Sequence, residues 1–306
     1  MKIGTDCSGI EAPIQALKQL KVPFKHVFSS EINAYAIQSI KANYEPVNIY
    51  GDITKRDHKL LPDIDLYVAG APCQPFSALG LGKASGDTRA DVLQECIKVI
   101  KIKKPKVFLL ENVPRLASVE QGRLFQCILD ELNASGIYHV YHELLNTKNY
   151  GLPQNRLRLF IIGIRKDVQR PNMKFTTPKE KKMVPLDDVL IDHKEYDFKP
   201  CATTQRNIDA IKMYDADANY VATWMGFGRP AMKELAPTLC AKTCSGLYFT
   251  KYKRHIYVKE ALALQGFPKS FKQVVSDSQM YKQIGNSMSV CVLVALFKEL
   301  FRVSKI

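Results

Sequence analysis

Short apolar segments alternate with segments of helical periodicity over the first 165 residues, and this alternation constrains the fold more than any other feature. The predicted strands are residues 2–6, 27–30, 47–50, 65–69, 107–110, 138–145 and 159–164. The predicted helices are residues 12–20, 33–44, 91–101 and 119–135. Because strands that alternate with helices form a mostly parallel sheet covered on both faces, the sequence predicts an α/β fold with helices on both faces.

The periodicity fades near residue 170, where prolines, lysines and aspartates interrupt the pattern. Apolar residues at helical spacing return between residues 280 and 301, which predicts a single C-terminal helix. We therefore expect a first domain of residues 1–170, completed by a helix at residues 280–306, and a smaller irregular domain of residues 171–279.

Charge and cysteine content narrow the class of protein. A net charge of +14 suits a polyanionic partner such as nucleic acid. Eight cysteines without a CxxC pair indicate reduced thiols, and the Cys240–Cys244 spacing lacks the second pair that a zinc site needs. No apolar run reaches the ~20 residues of a membrane span, and the polar N-terminus does not look like a signal peptide. These features predict a cytoplasmic protein without a metal.

Cys73 lies in the segment Pro72-Cys73-Gln74-Pro75, directly after a predicted apolar strand. Most cysteines are small buried side chains, and that alternative applies here as well. Proline, however, fixes the backbone and removes a hydrogen-bond donor, so two prolines suit the presentation of a side chain better than the filling of a core. Cys73 is therefore a candidate nucleophile.

Three successive predicted strands end in residues that suit a nucleotide-like cofactor. A small-residue turn at Cys7-Ser8-Gly9 follows the first strand, Glu31 ends the second and Asp52 follows the third. A carboxylate at these positions can accept from ribose hydroxyls or from an adenine amine, although each alone could be a helix cap. The absence of GxGxxG argues against a pyrophosphate. S-adenosylmethionine, which contains adenosine but no diphosphate, fits this pattern.

Two further segments carry candidate catalytic groups. Glu111 ends an apolar strand, where a carboxyl group is costly unless it has a partner or a catalytic role; the alternative is a cap for the next helix. In Gln154-Asn155-Arg156-Leu157-Arg158, strand alternation predicts that both arginines lie on one face. They suit an anion or a base carbonyl, and an ordinary ion pair is the alternative.

Four motifs occur in the order Pro-Cys-Gln, Glu-Asn-Val, Gln-x-Arg-x-Arg and Gln283-Ile284-Gly285-Asn286-Ser287. In order and spacing they resemble the cytosine-5 DNA methyltransferases. The resemblance covers nearly the whole chain except about residues 170–223. It implies a Rossmann-like, S-adenosylmethionine-dependent methyltransferase sheet and a smaller domain, residues 171–279, that recognises the DNA target.

The resemblance also implies roles for individual residues. Cys73 corresponds to the nucleophile, Glu111 to the residue that engages the cytosine ring, and Arg156 and Arg158 to active-site arginines. The implied cofactor contacts are Cys7, Gly9, Ile10, Glu31, Asp52, Ile53, Pro72, Asn286 and Ser287. The implied DNA contacts are Gln74, Ser77, Lys83, Arg89 and Arg229.

The implied reaction is methylation of a cytosine that is flipped out of duplex DNA, through a covalent Cys73 adduct. The implied protein is a monomer that works in restriction–modification or DNA marking, where a cognate restriction endonuclease acts separately. It is expected in the bacterial cytoplasm near the nucleoid, or inside a host cell if it is viral. Alternatives are a transfer-RNA methyltransferase of the same family, a catalytically silent DNA-binding relative and a small-molecule methyltransferase.

Two positions depart from the family pattern. Cys7 stands where an aromatic residue is usual, and Glu11 stands where a glycine is usual. We expect weaker stacking on the cofactor adenine at Cys7, and a bulky charge in the turn at Glu11.

Overall fold

The computed structural model describes residues 1–71, 89–211, 213, 215, 217–224 and 230–306. Several candidate residues therefore lie outside the described residues: Pro72, Cys73, Gln74, Ser77, Lys83 and Arg229. The same holds for the side chain of Arg89, the first residue of a helix.

Contacts along the chain divide it into two compact units. The first unit contains Met1–Leu145, Leu157–Lys179 and Leu293–Ile306. The second unit contains Asn146–Arg156 and Glu180–Val292. The assignment of DNA recognition to the smaller domain stays a prediction.

A seven-stranded sheet forms the first unit. In chain order its strands are β1 Lys2–Asp6, β2 Lys25–Ser30, β3 Asn48–Tyr50, β4 Leu66–Ala69, β5 Val107–Asn112, β6 Tyr138–Asn146 and, after a short strand β7 Gln154–Asn155 outside this sheet, β8 Leu157–Arg165. Their order in the sheet is β3-β2-β1-β4-β5-β8-β6. The strands β1 to β5 pair in parallel, whereas β8 runs antiparallel to β5. The seven strands and the Rossmann-like class predicted from the sequence are confirmed.

The strand order reverses beside β1, because the chain proceeds outward from β1 to β3 and then returns to β4 on the other side. Ligands of open α/β sheets bind at the carboxyl ends of the strands at such a reversal. The carboxyl ends of β1, β2 and β4 are therefore the first place to look for a site.

The central strand β4 is apolar along its whole length and β5 is apolar up to Leu110, as expected of strands that are covered on both faces. Every residue of β4 is buried, and Phe28, Tyr67 and Phe108 are among the largest fully buried side chains. The helices of this part are α1 Ala12–Leu20, α2 Ala34–Asn43, α3 Arg89–Lys103 and α4 Arg123–Asn133. The α2 helix begins where Asn33 accepts hydrogen bonds from the backbone of Tyr35 and Ala36, a regular N-cap.

The second unit is built from much shorter strands. In chain order its further elements are α5 Ala202–Asp209, β9 Tyr220–Ala222, β10 Met232–Lys233, β11 Ala236–Pro237, β12 Tyr248–Phe249, β13 Arg254–His255, α6 Val258–Leu264 and α7 Asp277–Asn286. One small sheet has the order β10-β9-β12-β13, and β11 pairs in parallel with β7.

The C-terminal segment is two helices, because α7 ends at Asn286 and α8 runs from Val290 to Val303. The prediction of one uninterrupted helix is wrong at this break. Taken together, Asp277–Val303 is long enough to cross a membrane. Its most apolar 18-residue window has a mean hydropathy of 1.5, and 67% of that window is buried inside the protein. A helix that packs in a protein core passes the same test, so this segment is weak support for a membrane span.

Candidate active site

The first candidate group is an ion pair at the end of β5. Glu111 lies opposite Phe160 in the antiparallel pairing of β5 with β8, which brings Arg158 close to Glu111. The Nε atom of Arg158 lies 3.1 Å from Oε1 of Glu111, and the two side chains are 15% and 12% exposed. The next helical turn, Pro114–Ala117, has Val113 as its N-cap residue, so Glu111 does not hold the cap position. An ion pair that keeps some exposure can still reach a ligand.

The chain segment that leads to Cys73 is attached to the same strand end. The side-chain amide of Asn112, the last residue of β5, donates to the carbonyl of Ala71 at 3.2 Å. Ala71 directly precedes Pro72 in the sequence. Glu111 and Ala71 therefore lie at the ends of the neighbouring strands β5 and β4.

Arg156 has a different environment from Arg158. Its guanidinium is buried and donates to the carbonyls of Leu239 and Ser287, each at 2.6 Å, and at 3.4 Å to that of Gly285. The strand is interrupted at Arg156, between β7 and β8, so the prediction that one continuous strand places both arginines on one face is wrong. A buried guanidinium that is bonded to carbonyls holds the backbone of its own unit in place.

The turn after β1 brings several predicted cofactor residues together. Cys7, Gly9 and Glu11 all have positive φ, at 52°, 54° and 59°, so the chain turns sharply after Asp6. The backbone N–H of Gly9 donates to Oε2 of Glu31 at 2.8 Å. The other oxygen of Glu31 accepts from the backbone of Ile32 and Asn33, each at 2.9 Å. Glu31 thus connects the end of β2 to the turn after β1. Ile10, the residue that follows Gly9 in this turn, is fully buried.

Asp52 follows β3, the next strand of the sheet. Its carboxylate accepts from the hydroxyl of Thr54 at 2.8 Å and from its backbone at 3.0 Å. These bonds, led by that of the Thr54 side chain, lower the pKa of Asp52, so it is a charged acceptor at neutral pH. Ile53 is buried beside it and begins a 3₁₀ turn, Ile53–Lys55.

These strand ends have room for a ligand. A Cβ atom added at Gly9 or at Gly51 would meet no atom of the described residues within 4 Å. Open space at two turns, with the carboxylates of Glu31 and Asp52 next to them, fits a group that carries ribose hydroxyls and an adenine amine.

The thiol of Cys7 does not behave as a nucleophile. It is hydrogen-bonded to Cys96 of α3, and this bond, with burial, raises the pKa of Cys7 well above its usual value. A neutral thiol is a poor nucleophile and a poor metal ligand. Cys7 therefore acts as a small packing residue in the turn.

A buried cluster that the sequence did not reveal lies beneath this turn. Asp6 is buried and forms two hydrogen bonds with the guanidinium of Arg56, at 2.8 and 2.9 Å, and a third with the Tyr67 hydroxyl at 2.6 Å. The guanidinium lies 5.5 Å from the ring centroids of both Phe28 and Tyr50. Arg56 follows the Asp52 segment closely in the sequence, so the cluster anchors that segment to the sheet. The feature of the sequence that could have indicated this cluster is Asp6, an acidic residue at the end of a predicted strand.

Glu11 does not place its charge in the open turn, contrary to the expectation. Its carboxylate is fully buried, and Oε1 accepts from the hydroxyls of Thr5 and Ser29, each at 2.6 Å. His26 lies 3.5 Å from the same oxygen. The glutamate therefore connects β1 to β2 from within the protein.

The C-terminal candidates lie in the second unit. Asn286 is exposed and ends α7, whereas Ser287 is buried and its carbonyl is held by Arg156. The side chain of Gln265 donates to the carbonyls of Ile284 and Ser287, at 2.9 and 3.3 Å. Hydrogen bonds from Arg156 and Gln265 therefore hold the backbone at the end of α7 in one conformation.

The basic run at Lys251, Lys253 and Arg254 is largely neutralised. Lys251 pairs with Asp187 at 3.0 Å, Lys253 pairs with Glu195, and Arg254 pairs with Glu260 at 2.7 Å. Within the described part of the chain, no group of three or more possible metal-ligating side chains is found.

Comparison with known proteins identifies one family. The family model for C-5 cytosine-specific DNA methylase matches residues 2–302. The chain is 36% identical over 286 residues to the Type II methyltransferase M.NlaX of Neisseria lactamica, covering 90% of this chain and 88% of that protein. It is 31% identical over 278 residues to M.HhaI of Haemophilus parahaemolyticus, covering 87% and 84%.

Solved structures share the fold. A DNA modification methyltransferase encoded within a prophage (E. coli) has a TM-score of 0.72 at 20% identity and 99% coverage of both chains. A mutant of Spodoptera frugiperda DNMT2 has a TM-score of 0.70 at 19% identity, covering 98% of this chain and 99% of that one. With the family match over almost its full length, the chain belongs to the C-5 cytosine-specific DNA methylases and is a DNA (cytosine-5-)-methyltransferase.

Proposed function

We propose that this chain methylates carbon 5 of a cytosine within a short duplex DNA sequence, with S-adenosylmethionine as methyl donor, as the modification enzyme of a restriction–modification or DNA-marking system. The observation that carries this proposal is the Glu111–Arg158 pair at the end of β5, where Asn112 also binds Ala71, the residue that precedes Pro72 in the sequence. Its relatives named as Type II methyltransferases support the cellular role.

The chemistry begins with an unreactive carbon. Carbon 5 of cytosine is a weak nucleophile, so we assign Cys73 the attack on carbon 6, which gives carbon 5 enamine character. Glu111 hydrogen-bonds ring nitrogen 3 and the exocyclic amine, and Arg158 the ring carbonyl, so both stabilise charge as it develops. After methylation a base removes the carbon 5 proton and the Cys73 sulfur leaves.

The methyl donor has a set of residues that fits it. We assign Glu31 to the ribose hydroxyls, Asp52 to the adenine amine, and the turn at Cys7, Gly9 and Ile10, with Ile53, to the walls around them. S-adenosylmethionine, when bound, supplies an electrophilic methyl group. The assignments of Pro72, Asn286 and Ser287 rest on the family resemblance.

The substrate must leave the duplex before it can react, because carbon 6 of a stacked base cannot be reached by a side chain. We assign Gln74, Ser77, Lys83, Arg89 and Arg229 to DNA contacts on the family resemblance and on their polar or cationic character. We also propose that the enzyme acts as a monomer in the cytoplasm and independently of any endonuclease.

Bisulfite sequencing of DNA from cells that express the chain tests this function. We expect cytosines in one short sequence context to resist conversion, and a Cys73→Ala variant to leave them convertible. Purified protein should also form a denaturation-resistant adduct with duplex DNA that contains 5-fluorocytosine.

Two outcomes would contradict the proposal. Methyl transfer to transfer RNA but not to duplex DNA would identify an RNA methyltransferase. DNA binding without adduct or methylation would identify a catalytically silent relative.

A further inference from the structure

We propose that Trp224 is a DNA-contacting residue of the second unit, and that Gly246 sets the orientation of its ring. This inference rests on the proposed function, because it names a contact that the enzyme makes with its substrate. Trp224 is the single tryptophan of the chain and follows β9 by two residues. It is 41% exposed, so part of the indole is accessible to a partner.

The ring of Trp224 lies directly against the backbone of Gly246. A Cβ atom built at Gly246 would stand 1.6 Å from Cδ1 and 1.8 Å from Nε1 of the indole, distances that no real side chain tolerates. Gly246 has no positive φ, so the backbone conformation there does not require glycine. The space taken by the indole is therefore what requires glycine at this position.

Both sides of this contact are held by the backbone of the second unit. The carbonyl of Thr223, next to Trp224, accepts from the side chain of the buried Asn207 at 2.6 Å. On the other side the N–H of Gly246 donates to the carbonyl of Thr243 at 3.0 Å. The two residues are also close to a strand pair: β9 and β12 pair with Ala222 opposite Tyr248, and Trp224 follows Ala222 by two residues while Gly246 precedes Tyr248 by two. A half-exposed ring with a fixed orientation loses little entropy when it binds.

The loop that carries Gly246 also presents polar and cationic groups. Lys242 and Ser245 are both exposed there. Lys242 makes no ion pair within the described part of the chain, whereas Lys233, Lys251 and Lys253 each pair with a carboxylate. An exposed ammonium in the loop of Gly246 and an oriented indole against Gly246 match the chemistry of DNA, since the ammonium suits a phosphate and the indole suits a base or a sugar.

A fluorescence titration tests the contact directly, because all tryptophan emission of the chain comes from this residue. The probe is a duplex oligonucleotide with the sequence that bisulfite sequencing identifies, and a scrambled duplex is the comparison. We expect the cognate duplex to quench or shift the emission. Anisotropy of a fluorescein-labelled copy of the duplex gives its Kd independently of the tryptophan.

Variants test whether the contact contributes to affinity. Trp224→Ala should raise the Kd for the cognate duplex at least about fivefold, the lower range for loss of one aromatic contact with a base. Trp224→Phe should recover part of this loss. Gly246→Ala, which displaces the ring, should also weaken binding. S-adenosylmethionine affinity by calorimetry and the melting temperature show whether each variant is folded.

Tyr196 provides the matched control. It is an aromatic residue with nearly the same exposure, 40%, but its hydroxyl donates to the carboxylate of Asp192 at 2.7 Å, and a carboxylate repels phosphate. Tyr196→Ala should leave the Kd for DNA unchanged.

The inference is overturned if the wild-type chain methylates the duplex while its emission does not change, or if folded Trp224→Ala binds with the wild-type Kd. In those cases the proposed function stands. If the wild-type chain neither binds nor methylates any duplex, both proposals are wrong.

Discussion

At the scale of single residues, the Glu111–Arg158 pair gives the sharpest expectation. Glu111→Gln keeps the size and shape of the side chain but removes the charge that would stabilise a protonated ring nitrogen. We expect the rate of methyl transfer in a single turnover to fall about 10²-fold, the lower end for loss of a positioned acid or base. The measurement uses radiolabelled S-adenosylmethionine and duplex DNA.

Glu45, an exposed glutamate of the first unit, is the control. Glu45→Gln should retain a rate within twofold of wild type (roughly the scatter expected of a surface substitution). A Glu111→Gln enzyme with a near-wild-type rate would remove Glu111 from the catalytic groups.

Glu11 is the second residue with a testable role. Glu11→Ala removes the acceptor of two buried hydroxyls and leaves an alanine at a φ of 59°. We expect a loss of about 3 kcal/mol of stability, because unsatisfied hydroxyls and a left-handed alanine both destabilise. Glu11→Gly should lose about 1 kcal/mol less, since glycine adopts this φ without strain. Differential scanning calorimetry of both variants checks this, and equal melting temperatures would show that backbone strain is unimportant here.

At this scale the sequence predicts where a residue lies on a strand, whereas the roles of the site residues stay predictions. It located Glu31 and Asp52 at successive strand ends because strand ends can be read from apolar runs. It gave the wrong geometry for Arg156, because alternation was extended across a break in the strand. It missed Arg56 as the partner of Asp6, because the two are 50 residues apart and only the sheet brings them together.

At the scale of elements, the close packing of α7 against Cys240 and Ala241 depends on Gly285. A Cβ there would lie 2.2 Å from the backbone nitrogen of Ala241 and 2.3 Å from the carbonyl carbon of Cys240. Backbone atoms cannot move aside cheaply, so we expect Gly285→Ala to cost about 2 kcal/mol and to lower the melting temperature by several degrees.

Gly51→Ala is the matched control for this substitution, since its Cβ would meet nothing within 4 Å in the part of the chain that the structure describes, and Gly51 has no positive φ. Its melting temperature should stay close to wild type. A Gly285→Ala protein that melts like the control would mean that α7 can shift away from the Ala241 loop.

Elements of the first unit were predictable and those of the second were not, for a physical reason. Strands β1 to β5 are runs of three to six residues that alternate with helices, so periodicity identifies them. Most strands of the second unit have only two residues, too few to show a period of two. Their positions are decided by pairing partners elsewhere in the chain.

At the scale of the whole molecule, acid should destabilise the protein through several carboxylates. Asp65 is an example: burial opposes ionisation, but the Lys2 backbone N–H at 2.7 Å and the Lys106 ammonium at 2.9 Å outweigh it and lower its pKa. Asp187 and Glu299 follow the same rule. Burial opposes their ionisation, but hydrogen bonds and ion pairs with cationic and hydroxyl partners outweigh it, so the pKa of each is lowered.

A lowered folded-state pKa gives stability that is complete above the unfolded pKa, about 4, and is lost as the pH falls through the folded pKa. The melting temperature of the wild type should therefore fall as the pH is taken from about 4 to 2. Asp65→Asn should melt lower than wild type at pH 7 and show a smaller drop below pH 4. Parallel curves for the two proteins would show that Asp65 does not contribute to the acid sensitivity.

The sheet of the first unit, the family and the chemical class of the site can be predicted from the amino-acid sequence, because each depends on short-range patterns: apolar periodicity, the residues at strand ends and four motifs in order. The three-dimensional fold selects the partners of those residues. It paired Glu111 with Arg158, buried Arg156 among carbonyls and placed Trp224 on Gly246. Such contacts join residues far apart in the chain, and the free energy of burying a charge or a ring depends on the atoms that surround it rather than on its neighbours in sequence.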